Sequence, residues 1–94
     1  MELEWDEAKS DACFQAREFD FLFATVVFDD PHRDVTIDDR FNYGERRYRA
    51  VGEAHGRVLV VVYTVRDGRC RVISARRADR KEVKAYGDRK DDAE

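Results

Sequence analysis

Proline occurs once in the 94 residues, at Pro31, and glycine only five times. That leaves no room for a Pro- or Gly-rich linker, and no internal repeat is visible. The chain therefore reads as one domain, residues 1–87, followed by a charged flexible tail, 88–94. Cysteine occurs twice, at Cys13 and Cys70, with no metal-ligand spacing. Both are expected to be free, buried thiols in a reducing compartment. No apolar run reaches the length of a membrane-crossing helix, and Glu2, Glu4, Asp6 and Glu7 are the wrong opening for an export signal. Both features point to a cytoplasmic protein with no membrane partner. Histidine is scarce too. His55 falls in a turn with nothing nearby to make a triad. His32 sits among Asp29, Asp30, Asp34, Asp38 and Asp39, which lack the regular ligand positions and the glycine of a calcium loop. A solvated acidic connection is the expectation there, with no metal and no cofactor.

Charge is abundant, and it is unevenly spread. Residues 1–39 hold 12 acidic and 3 basic side chains, whereas residues 40–90 hold 15 basic and 6 acidic. The net charge of −3 hides this division. A basic working surface facing an acidic counter-region is implied.

Residues 46–76 organise the chain. Asp67-Gly68 is the strongest short hairpin signal, because both central positions of a type I′ turn need φ > 0. His55-Gly56 is a weaker turn of the same length. They separate strands at 46–54, 57–66 and 69–76, the middle one apolar on both sides through Val58-Leu59-Val60-Val61-Val62-Tyr63. Two-residue turns fix the register. Arg47, Thr64 and Arg71 should share a row, Arg49, Val62 and Ile73 the next, and Glu45, Arg66 and Arg69 the row by the second turn. One sheet face then carries five arginines: Arg47, Arg49, Arg66, Arg69 and Arg71. The other carries Tyr48, Ala50, Gly52, Leu59, Val61, Tyr63, Cys70, Val72 and Ser74, with Arg76 following on that side.

Around the meander, Leu3-Glu4-Trp5 reads as a short edge strand. Asp6 then caps a helix through Arg17, with Ala8, Ala12 and Ala16 on one stripe. Asp20 caps a second, very apolar helix, Phe21 to Phe28. Residues 29–45 read as a long polar connection, with a brief strand possible at Val35-Thr36-Ile37. Asp79 and Glu82 form a capping-box variant that opens a final helix to about Tyr86, with Gly87 as its stop. The fold class is α+β: a small antiparallel sheet, made of the meander 46–76 plus a short N-terminal strand, with two N-terminal helices and one C-terminal helix.

Several strings resemble the BrnT toxin family of type II toxin–antitoxin pairs. They are Glu4-Trp5-Asp6 with Ala8-Lys9, then Phe21, Ala24 and Phe28-Asp29-Asp30-Pro31. Further on come Glu45-Arg46-Arg47-Tyr48, Gly52 and Leu59-Val60-Val61-Val62-Tyr63-Thr64. The most specific string is Arg71-Val72-Ile73-Ser74-Ala75-Arg76-Arg77-Ala78, followed by Glu82 and Tyr86. The resemblance implies a RelE-like fold and a metal-independent endoribonuclease. It also implies a BrnA-type antitoxin with a ribbon-helix-helix module, through which the pair would bind operator DNA and repress its own operon. One departure stands out. The family's usual Lys-His-Gly is Ala16-Arg17-Glu18 here, and an arginine cannot act as a base.

Metal-free RNA cleavage gathers negative charge on the phosphoryl oxygens, and guanidinium forks suit them. The candidate catalytic residues are Arg47, Arg71, Arg76, Glu82 and Tyr86. Glu82 is a candidate base and equally a helix cap; Tyr86 is a candidate acid or stacking group, although a tyrosine on a final helix more often packs on the core. Lys9, Arg49, Arg66 and Arg69 are candidate RNA-binding residues. A catalytically inactive, partner-binding module on the same fold is the alternative.

Overall fold

The computed structural model describes residues 2–92. Its elements run β1 (Glu2–Trp5), α1 (Glu7–Arg17), α2 (Phe21–Ala24), a 3₁₀ segment (Thr25–Asp29), β2 (Asp34–Asp38), β3 (Arg47–Ala54), β4 (Arg57–Arg66), β5 (Arg69–Arg77) and α3 (Arg80–Asp92). The five strands form one sheet in the order β1-β5-β4-β3-β2. The α+β class holds, with two changes in the sheet. It is mixed, because β1 lies parallel to β5 with Glu2 opposite Arg69 and Trp5 opposite Val72. It also has a fifth strand, because residues 34–38 form a full edge strand on β3.

Both turns of the meander have the expected geometry. His55 and Gly56 have φ of 53° and 80°, and Asp67 and Gly68 have 51° and 74°. Tyr48 stands opposite Tyr63 and Arg49 opposite Val62, as two-residue turns require. Between β4 and β5 the ladder is regular from Arg66–Arg69 to Tyr63–Val72 and then slips, pairing Val62 with Ser74 and Val60 with Arg76. Ile73 is the extra residue of a β-bulge. One inserted residue exchanges the faces of everything beyond it. The expected row of Arg49, Val62 and Ile73 is therefore corrected. Ser74 is exposed opposite Val62, and Ala75 takes its place in the core at 2% exposure.

Helices cover the two faces of the sheet unequally. On one face α1, α2 and the 3₁₀ segment pack Cys13, Phe19, Phe21, Ala24 and Val27 against Ala50, Ala54, Leu59, Val61, Val72 and Ala75. Alanines on the sheet let the helices approach closely. Gly52 marks the tightest point, where a Cβ would stand 2.9 Å from Val27 Cγ1. On the opposite face α3 lays Tyr86 over Val51 and Val60, flanked by Val58 and Ala78. Only the Val51–Val60 end of the arginine-bearing face is thus covered.

Two helix ends are informative. Asp6 caps α1 by accepting from the Lys9 N–H, 3.1 Å. At its other end Glu18 adopts φ 66°, ψ 18° and donates its N–H to the Phe14 carbonyl. The chain makes a left-handed stop there without glycine. The expected stop at Gly87 does not occur. The helix runs on through residue 92, supported by a Lys84–Asp88 pair one turn apart and by Arg89 on Asp34, 2.8 Å. Residues 88–92 of the expected tail are helical, and 93–94 lie outside the described residues.

Candidate nucleic-acid interface

The bulge decides where Arg76 points. In a regular ladder it would share the helix-packed face with Val72. With Ile73 inserted, it joins Arg49 on the other face, which corrects the expected placement. Its Nη1 and Nη2 donate to Glu82 Oε1 and Oε2 at 2.7 and 2.9 Å. Arg49 Nη1 donates to the same Oε2 at 3.3 Å. Two arginines from β3 and β5 therefore converge on one carboxylate from α3.

Glu82 is fixed by more than its charge partners. Its backbone N–H donates to Asp79 Oδ1, and the Asp79 N–H donates to Glu82 Oε1, both at 2.8 Å. This reciprocal pair is the capping box read from the sequence. The hydrogen bonds from Arg76 lead in pulling the Glu82 pKa down to about 2. Partial burial opposes them, and the Asp79 N–H and the charges of Arg76 and Arg49 reinforce them. A carboxylate held in this way stays ionised and accepts a proton poorly.

Arg47 lies on the same face. Its Nε donates to Glu45 at 3.2 Å, and its guanidinium sits 3.8 Å above the Tyr43 ring. Arg66 pairs with the other oxygen of Glu45. Toward the β1 side, Arg71 pairs with Glu4 at 2.8 Å and Arg69 with Glu2 at 3.1 Å. Arg71 belongs to a neighbouring ion pair, not to the Arg49–Arg76 convergence. Lys9 lies off the sheet face. It lines a groove between α1 and the bulge, with Ala12, Arg17, Ile73 and Ser74.

Tyr86 is outside this cluster. It is 5% exposed, and its hydroxyl donates to Asp30 Oδ2. Asp30 also accepts the backbone N–H groups of Glu53 and His32, each at 2.8 Å. Burial, then the bond to Asp30 and its charge, hold the Tyr86 hydroxyl protonated far above the ordinary tyrosine range. This bond ties α3 to the loop that lies against Gly52 and Glu53 of β3.

Arg40 is a member that sequence reasoning missed. Its Nε and Nη2 donate to Asp38 at 2.8 and 3.0 Å, and the Asp38 side chain is 1% exposed. Asp38 ends β2 opposite Arg47, and its carboxylate is further stabilised by the nearby charge of Arg49. The signal was an arginine two residues after an aspartate at a strand end, obscured by the acidic run around it. Both histidines instead line a cleft beside β3 with Asp29, Glu53, Tyr86 and Lys90, where none of these arginines reaches. No cluster of metal-ligating groups occurs among the described residues.

Residues 16–18, where the resemblance calls for Lys-His-Gly, adjoin this face. Ala16, Arg17 and Glu18 share an open recess with Arg76 and Arg77. The charge of Arg17 also bears on the buried Cys13 thiol, whose pKa is raised chiefly by burial.

Residues 5–82 match the family described as "Ribonuclease toxin, BrnT, of type II toxin-antitoxin system". The chain belongs to the BrnT family. The match takes in both arginines and the bulge, and it closes on Glu82, the carboxylate that holds them. No curated protein matches the chain. BrnT membership makes this a toxin-family protein of ribonuclease type, with an antitoxin as its partner. Among the described residues no helix is long and apolar enough to cross a membrane.

Proposed function

We propose that the chain is a cytoplasmic, metal-independent endoribonuclease that cleaves RNA on the arginine-bearing sheet face. The observation that carries this reading is the convergence of Arg49 and Arg76, from two different strands, on Glu82. A guanidinium has five N–H donors. Glu82 engages one nitrogen of Arg49 and the two terminal nitrogens of Arg76, so donors remain for a phosphate.

In the reaction the ribose 2′-hydroxyl loses its proton and attacks the adjacent phosphorus. The 5′-oxygen departs with a proton, leaving a 2′,3′-cyclic phosphate and a 5′-hydroxyl. Charge builds on the non-bridging oxygens, where fixed guanidinium groups stabilise it without reorganising. Arg49 and Arg76 take this role, with Arg47 beside them. Arg71, Arg66 and Arg69 hold the flanking phosphates. Glu82 positions the two arginines, and Tyr86 anchors the helix that carries Glu82. The antitoxin is of BrnA type, with a ribbon-helix-helix module through which the pair represses its own operon. It silences the toxin by covering the arginine face.

A second reading has a specific observation behind it. The arginines are already neutralised by carboxylates, and Arg17 stands where the family carries histidine. A catalytically inactive module that only binds its antitoxin would look the same.

The test is cleavage of a defined RNA in EDTA by the purified chain, with Arg76→Ala as control. Cleavage abolished by that substitution supports the ribonuclease. A folded protein that binds antitoxin and leaves RNA intact supports the inactive module.

A further inference from the structure

Phe41 is the most exposed large apolar side chain among the described residues, at 67%. It belongs to the loop between β2 and β3, and it packs into no core. The loop brings it to the arginine face. Asp38, at the start of the loop, is engaged by Arg40, and Tyr43 lies under the Arg47 guanidinium at 3.8 Å. Phe41 meets Tyr43 edge to face, with ring centroids 5.8 Å apart and planes at 72°. The turn between the two rings and the strand is closed by Asn42 Oδ1, which accepts the Gly44 N–H at 3.1 Å, with Gly44 at φ +73°. An open aromatic ring, a second ring and a guanidinium thus follow one another along the rim of the cluster.

That sequence of groups complements a single strand of RNA, in which flat bases alternate with phosphates. Exposed rings beside arginines are how proteins take hold of unpaired nucleotides, because every base has a face that stacks. A base inside a duplex has no free face to offer. The sheet itself provides no such ring, since Tyr48 and Tyr63 stack on each other on the helix-packed face.

We infer that Phe41 and Tyr43 form a base-stacking subsite, which receives the nucleobase beside the phosphate held by Arg47, Arg49 and Arg76. This rests on the ribonuclease reading and deepens it: the substrate is single-stranded RNA, and Phe41 is a specificity-determining contact.

The test is fluorescence anisotropy with a labelled, uncleavable 2′-O-methyl oligoribonucleotide and with the same backbone carrying abasic sites. Phe41→Ala should weaken binding of the base-bearing oligonucleotide by about 5- to 150-fold, the range expected for one lost stack. It should leave the abasic strand unaffected, and Phe41→Trp should restore affinity. Arg76→Ala should weaken binding of both. If Phe41→Ala changes nothing while Arg76→Ala weakens both, the subsite is overturned and the arginine face stands. If neither substitution matters, the RNA reading fails and takes the subsite with it. If Phe41→Ala leaves RNA binding intact but abolishes self-association or antitoxin binding, the ring is a protein contact and the inference is overturned.

Discussion

Arg76 and Glu82 form a two-point ion pair, with both terminal nitrogens of one facing both oxygens of the other at 2.7 and 2.9 Å. Neither residue is free to act alone. Arg76 is aimed by the carboxylate, and the carboxylate is aimed by the first turn of α3.

Removing one partner should therefore act differently from removing the other. Arg76→Ala should lower the rate of RNA cleavage by about 10²- to 10³-fold, the usual loss for one preorganised donor. Arg76→Lys should rescue little, because an ammonium cannot make the two-point contact. Glu82→Gln removes a neutralising charge, so RNA should bind more tightly and with a steeper salt dependence. Cleavage should still slow, because the two arginines lose their common anchor. Single-turnover kinetics alongside a salt titration of binding separates the two effects.

The same pair sets a pH dependence. Glu82 is depressed to about 2 in the folded chain, and Asp30 is lowered too. For Asp30, burial works in the raising direction, and the hydrogen bonds from Tyr86, Glu53 and His32 outweigh it. Both folded values lie below those of the unfolded chain. Their stabilisation is thus fully present above about pH 4.5, the ordinary carboxylate range, and is lost as pH falls through the folded values. Urea unfolding at neutral and acid pH should show this loss. In Glu82→Gln the slope between about pH 4.5 and pH 2 should flatten.

Tyr86→Phe should destabilise the protein by about 1.5–3 kcal/mol, the worth of a hydrogen bond to a charged acceptor. The ring still fills its place over Val51 and Val60, so the loss isolates the hydroxyl. The folded Tyr86 value is raised, so its contribution is present below the ordinary tyrosine range and is lost as pH rises through the folded value. The variant should therefore lose the extra alkaline sensitivity of the parent, as read by thermal unfolding at neutral and alkaline pH.

Glu18→Gly should stabilise. A non-glycine residue at φ 66° carries a steric cost of about 1–2 kcal/mol, offset in part by the greater freedom of glycine in the unfolded chain. A net gain of about 0.5–1 kcal/mol should raise the melting temperature by roughly 2–8 °C for a domain of this size. Calorimetry reads it directly.

How much of this was legible in the sequence follows from the range of each signal. The meander and its turns could be read because alternation and Asp67-Gly68 are local. The capping box at Asp79 and Glu82 is local too. The bulge left only a faint local mark, the adjacent apolar pair Val72-Ile73 between Arg71 and Ser74, which a largely buried strand also tolerates; the slip is decided only by the pairing with β4. With the bulge went the side on which Arg76 lies. Arg40 was obscured because its partner Asp38 reads as one more acidic loop residue, and only the pairing of β2 with β3 brings it to the arginine face. The extension of α3 past Gly87 rests on contacts from outside the helix, such as Arg89 on Asp34, 55 positions away in the chain.

The parallel pairing of β1 with β5 has a consequence for the chain as it leaves the ribosome. Residues 2–5 are made well before their partners, residues 69–72. Glu4 waits for Arg71, 67 positions later. Closing so long a loop is entropically costly and kinetically late, so the sheet edge is completed only once residues 69–72 have been made. Arg76 and Glu82 emerge later still. A chain cut short before residue 69 therefore carries neither a finished sheet nor its arginine cluster, and the toxin fold waits for β5 and α3 to be made.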